Sequence, residues 1–123
     1  MALVLDAGAL IAIDRGDVQV IARVARAHHR LEPVITSAAA VAQVIRDRSR
    51  QVTLERALSN MEERPIDSGT ARAIGRLLAS SRTADVVDAA VAVAARSGDE
   101  LMTSDPSDLR TLLAGQGVTI TTV

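Results

Sequence analysis

The chain has 123 residues, 48% of them of the hydrophobic type, with no Phe, Tyr, Trp or Cys and a formal net charge of −1. This length suits one domain, spanning 1–123, with a buried core. The absence of cysteine excludes disulfides, thiolate zinc sites and cysteine nucleophiles and fits a cytoplasmic protein. Without aromatic rings there are no platforms for stacking single-stranded bases. All 14 basic residues are arginine, so any phosphate contact must come from a local Arg cluster and not from the overall field.

Ala2 to Leu5 reads as a short buried strand, and Asp6 stops it before a signal-peptide core could form. Gly8 to Ile13 turns into a helix. Asp17 is placed to cap a second helix carrying Val20, Ile21, Val24 and Ala27 at helical spacing. Pro33 to Thr36 is a second strand, after which Ser37 caps a helix running from Ala38 to about Ser49, with Val41, Val44 and Ile45 inward. Val52 to Met61 forms a further helix, and Arg64 to Asp67 a strand or extended link. Ser68 opens a helix with Ala71, Ile74, Leu77 and Leu78 on one face.

Thr83 is expected to cap a helix over Ala84–Arg96 that ends at Gly98 in the C′ position. Glu100 to Thr103 is a strand, Asp105-Pro106 starts a short helix through Leu113, and Val118 to Thr122 is the last strand. The longest apolar run, Val86 to Ala95, contains Asp88 and is too short to span a bilayer, so no membrane association is expected. Short strands alternating with helices predict a three-layer α/β/α fold around a short central parallel sheet.

The carboxylates stand out because they fall where apolar runs stop. Asp6 follows the first strand directly; taken alone it reads equally as a turn or N-cap residue. Asp88 lies one turn into a helix whose neighbours are Val and Ala on every side, a pattern typical of burial. The helix dipole offers such an acid only about 0.3–1 kcal/mol, too little to offset desolvation. Asp85, on the same face, serves either as a second ligand or as a cap. Asp105-Pro106-Ser107-Asp108 carries the N-cap, Pro at N1 and acid at N3 of an ordinary helix start. Even so, Asp105 also follows a strand. In open α/β sheets, sites form beyond the carboxyl ends of the strands, where Asp6 and Asp105 can converge. Several acids without His or Cys describe a hard-cation site for Mg²⁺ or Mn²⁺, the chemistry of many nucleases and phosphatases. The adjacent His28 and His29 do not face one ligand and read as surface residues. Arg46, Arg48 and Arg50 read as a solvated face, with phosphate contact as the alternative.

Leu-Val-Leu-Asp6, the Asp88-Ala-Ala-Val-Ala helix start and Thr103-Ser-Asp105-Pro-Ser-Asp108-Leu together resemble a PIN domain, and more closely the VapC-type toxins of bacterial toxin–antitoxin pairs. The resemblance spans essentially the whole chain. It implies a Mg²⁺- or Mn²⁺-dependent endoribonuclease acting on RNA, often a homodimer, held inactive by a small antitoxin. On matching positions it makes Asp6, Asp88 and Asp105 the metal-binding and catalytic acids. Thr103 and Ser104 would line the site, with Asp108 close by and Asp85 a neighbour.

Two departures accompany it. Gln43 stands where the family usually has Glu, and Asp6-Ala-Gly8 lacks the hydroxyl of the usual Asp-x-Ser or Asp-x-Thr. A degenerate, non-cutting module that binds RNA or protein is therefore the competing expectation. A receiver domain would need a late Lys, which is absent. A haloacid-dehalogenase-like phosphatase would need Asp-x-Asp after the first strand, which Asp6-Ala-Gly8 is not.

Overall fold

A computed structural model describes all residues from Met1 to Val123. Five strands form the sheet: β1 (Leu3–Leu5), β2 (Val34–Ser37), β3 (Glu62–Arg64), β4 (Glu100–Thr103) and β5 (Thr119–Thr122). Every pairing is parallel and the spatial order is β3-β2-β1-β4-β5. The chain builds outward from β1 to β3, then returns to the other side of β1 for β4 and β5. The reversal places a topological switch point between β1 and β4, where Leu5 is aligned with Met102.

Seven helices cover the sheet: α1 (Ala7–Asp14), α2 (Val18–His29), α3 (Ala38–Val44), α4 (Val52–Leu58), α5 (Ser68–Ser81), α6 (Val86–Ala94) and α7 (Pro106–Leu112). α1 packs with α2 and α4, whereas α6 packs with α3, α5 and α7 and onto β1 and β2. Parallel strands buried on both faces must be apolar throughout. Leu3, Val4 and Leu5 of the central strand are accordingly fully buried, with Leu10, Leu54, Val91, Leu101 and Leu109 packed among the surrounding core residues. Lacking aromatic rings, the core reaches close packing through small side chains, Ala9, Ala27, Ala40 and Ala89 being fully buried. No helix is long and apolar enough to cross a membrane.

Asp17 and Ser37 cap α2 and α3 as their positions predict, accepting hydrogen bonds from Gln19, Val20 and Ala39 N–H groups. Elsewhere the chain departs from the sequence reading. The helix from Ala38 stops at Val44, well short of Ser49, because Gln51 intercepts its end. The Gln51 amide donates to the Val44 carbonyl (2.9 Å), while its oxygen accepts from the N–H groups of Arg46 (2.8 Å) and Asp47 (3.2 Å). Side-chain competition of this kind diverts backbone groups from the helical ladder. Arg46, Arg48 and Arg50 consequently lie in an exposed turn segment.

The next helix closes at Leu58 instead of Met61, and β3 lies two residues before the expected strand. Pro65 to Asp67 is the extended link, and α5 opens at Ser68 as expected, with Asp67 capping it through the Thr70 N–H (2.8 Å). The cap of α6 is Asp85, not Thr83, and α6 ends at Ala94, four residues before Gly98.

Candidate functional site

The chain leaves β1 at Asp6 and enters α1 at once. The Asp6 N–H still donates to the Met102 carbonyl of β4 (3.2 Å), and its carboxylate caps α1 through the Ala9 N–H (2.9 Å). The capping alternative for Asp6 is thus correct, but the cap is buried, with 6% of the residue exposed. Burial pushes its carboxyl above the ordinary range. The Thr103 hydroxyl and the N–H groups of Ala9 and Gly8 pull it back, and the charge of Asp105 adds a small upward push.

Thr103, fully buried at the end of β4, joins two of the acids. Its hydroxyl lowers the proton affinity of the Asp6 carboxyl, and its oxygen accepts from the Asp105 N–H (3.0 Å). Asp105 caps α7 with Pro106 at the first helical position, its carboxylate bonding Ser107 through both N–H (3.4 Å) and hydroxyl (3.0 Å). Asp105 and Asp108 are both exposed.

Asp88 arrives from α6. Burial of this helix begins at Ala89, while Val86 is exposed, so Asp88 is half-buried and not enclosed as the apolar sequence suggested. Its carboxyl is pushed up to about 6, first by desolvation and then by the charges of Asp85, Asp6, Asp108 and Asp105. Four aspartates from three segments therefore act on one carboxylate. Asp85 accepts from the Asp88 N–H (2.9 Å) as the cap of α6, which settles its structural role without removing its charge from the cluster.

The acids repel one another with no arginine among the groups that shift them. Unneutralised carboxylate oxygens suit a hard cation, but no three acid or histidine side chains are set to hold one ion together. Donor chemistry fits a divalent ion, while a closed protein cage is missing. Mg²⁺ tolerates that, since it is commonly held by one or two carboxylates plus waters and substrate phosphates. Gln43 is exposed in the last turn of α3 and is not among the groups acting on Asp6 or Asp88.

The sequence reading overlooked how closely Gly8 and Ser104 approach. A Cβ added to Gly8 would overlap the Ser104 hydroxyl and stand 2.8 Å from Ser104 Cβ and 3.0 Å from its backbone nitrogen. Only glycine fits, and the one available signal is a glycine early in a helix, where it is costly. A separate apolar groove of about 260 Å³ lies between α2 and α4, floored by Ile13, Ile21 and Val24 and bordered by His28 and Arg56. None of the acids lines it. His28 and His29 are exposed, as surface residues should be.

No family model and no curated protein matches the sequence. Among solved structures the chain is similar to VapBC2 from Rickettsia felis bound to a DNA fragment from their promoter. That likeness has a TM-score of 0.72 and 12% identity, covering 100% of this chain and 99% of that chain. At such identity the likeness concerns the fold, a three-layer, PIN-like α/β/α arrangement over the full length.

Proposed function

We propose that this chain is the toxin of a toxin–antitoxin pair, a Mg²⁺- or Mn²⁺-dependent endoribonuclease that works as a homodimer and is restrained by a small antitoxin. The observation that carries the reading is the gathering of Asp6, Asp88 and Asp105 beside the β1–β4 switch point as an all-oxygen, mutually repelling set. The full-length likeness to a VapBC2 component supports the same class and the antitoxin partner.

Asp6, Asp88 and Asp105 are the residues that would hold the ion, with Asp85 and Asp108 deepening the negative potential. A divalent ion there supplies polarisation of a phosphoryl oxygen and a more acidic water. Thr103 fixes the Asp6 carboxylate and the Asp105 backbone relative to each other, which sets the spacing of two strand-end acids. Asp88, whose proton affinity burial and the other acids raise, is the carboxylate that a bound cation would relieve most.

Cleavage of single-stranded RNA in Mg²⁺ or Mn²⁺ tests the proposal. Native protein is expected to cut, and Asp88→Asn to lose about 100-fold or more, as removal of one well-placed polar group commonly does. Equal cleavage by both, after rigorous removal of contaminating nuclease, would contradict it. The second reading, a non-cutting module that binds RNA or protein, draws on the exposed Gln43 and the lack of a three-acid cage. No cleavage by native protein together with activity in Gln43→Glu would favour that reading.

A further inference from the structure

Beside the acids lies a groove of about 470 Å³, within the range of roughly 300–1,000 Å³ typical of small-ligand sites. We propose that it seats the nucleotide next to the cleaved bond, with Arg15 contacting that nucleotide's phosphate. The inference rests on the RNA-cleaving reading above and adds to it where the strand runs.

Three observations support the assignment. The groove is lined by near sequence neighbours of two of the acids. Gly8 and Ser104 line it; Gly8 lies two residues after Asp6, and Ser104 immediately precedes Asp105. Position 8 has no side chain, and the Ser104 hydroxyl occupies the volume that a Cβ there would take.

The groove also carries a cation, Arg15, alongside one acid, Asp17. Arg15 is exposed at the end of α1 and belongs to no ion pair. The carboxylate of Asp17, which also lines the groove, is occupied in capping α2 through the N–H groups of Gln19 (3.0 Å) and Val20 (3.1 Å). An accessible guanidinium beside a cluster that repels phosphate gives RNA a point of attachment the acids cannot. Ile11, partly exposed, and Ala12 line the same groove and offer apolar surface to a ribose or base.

The test compares Arg15→Gln and Arg15→Lys in the Asp88→Asn background, so that RNA stays intact. Binding of a fluorescent single-stranded oligoribonucleotide is followed by anisotropy across a salt series, alongside a dinucleotide that spans only the cleaved bond. Arg15→Gln is expected to weaken the oligoribonucleotide about tenfold, the size of one charge-assisted hydrogen bond. Its salt slope should become shallower by roughly 0.7, the value for one phosphate contact on a single strand. Arg15→Lys should restore the slope, and the dinucleotide should be indifferent to both changes. Unchanged affinity and slope in Arg15→Gln, with native protein still cutting RNA, would overturn the groove assignment alone. Native protein that neither binds nor cuts RNA would overturn the underlying reading as well.

Discussion

Two aspartates at opposite ends of the sheet are equally buried, each with 6% of the residue exposed, and are used differently. Asp99, at the amino end before β4, has both carboxylate oxygens engaged: one accepts from the Ala2 N–H (2.7 Å) and the other from the Arg96 N–H (2.8 Å). It ties the entry to β1 to the turn after α6. Asp6, at the carboxyl end of β1, accepts its α1 cap hydrogen bond on one oxygen, and burial together with Asp105 raises its proton affinity. Burial alone therefore does not separate a structural acid from a functional candidate. What separates them is what surrounds the carboxylate: other acids act on Asp6 despite its donors, whereas the partners of Asp99 are backbone N–H groups. Asp99 completes the fold, whereas Asp6 sits among acids that lack a counter-charge.

Substitution should break this symmetry most visibly in stability. Asp99→Ala leaves the buried Ala2 N–H and the part-buried Arg96 N–H without their acceptor; a buried unsatisfied donor costs about 1–3 kcal/mol, and a loss in that range is expected. Urea midpoints at constant m-value measure it. Asp6→Asn, which keeps an acceptor for the Ala9 N–H and removes a repelled charge, is expected to leave metal-free stability unchanged or higher while abolishing cleavage. An Asp6→Asn loss as large as that of Asp99→Ala would erase the distinction.

A smaller effect comes from pH. The Asp88 carboxyl rises from 3.8 to about 6 on folding, so between those values the folded chain holds a proton that the unfolded chain releases. The stabilising contribution is complete below about pH 4, is lost as pH rises through 6, and is constant above. Because Asp88 is half-exposed and its neighbours are screened by water, the change is on the order of 1 kcal/mol, below full conversion of the shift. Urea midpoints between pH 4 and 7 should decline more in native protein than in Asp88→Asn. Asp6 acts in the same direction, and the difference between the two proteins isolates Asp88. Smallest of all, Gln43→Glu should tighten apparent Mn²⁺ affinity only a few-fold, since the exposed position lies outside the groups that shift the cluster.

The parallel sheet follows from alternating short strands and helices, and caps such as Asp17 and Ser37 are local chemistry that a sequence displays directly. Strand ends also predict that Asp6 and Asp105 lie on one edge. What sequence could not supply is the strand order that makes β1 and β4 neighbours, and so brings Thr103 between the two acids. Features that periodicity does not display share a cause. Gln51 ends α3 from seven residues away, and Asp99 binds an N–H 97 residues away, so both depend on tertiary placement and leave no periodic trace. The cap of α6 was a choice between two polar residues two positions apart, decided when Asp85 met the Asp88 N–H. The Gly8–Ser104 contact was invisible for the same reason as Asp99: its partners meet only after the sheet forms.

Calorimetric titration of Mn²⁺ near pH 6 into native protein, Asp6→Asn and Asp88→Asn bears most directly on the claim that these uncompensated acids hold a divalent cation. Saturable binding to native protein with proton release is expected, because the ion displaces the proton that Asp88 retains at that pH, and both should be lost in each variant. No saturable binding by native protein, or binding of equal strength in all three proteins, would contradict it.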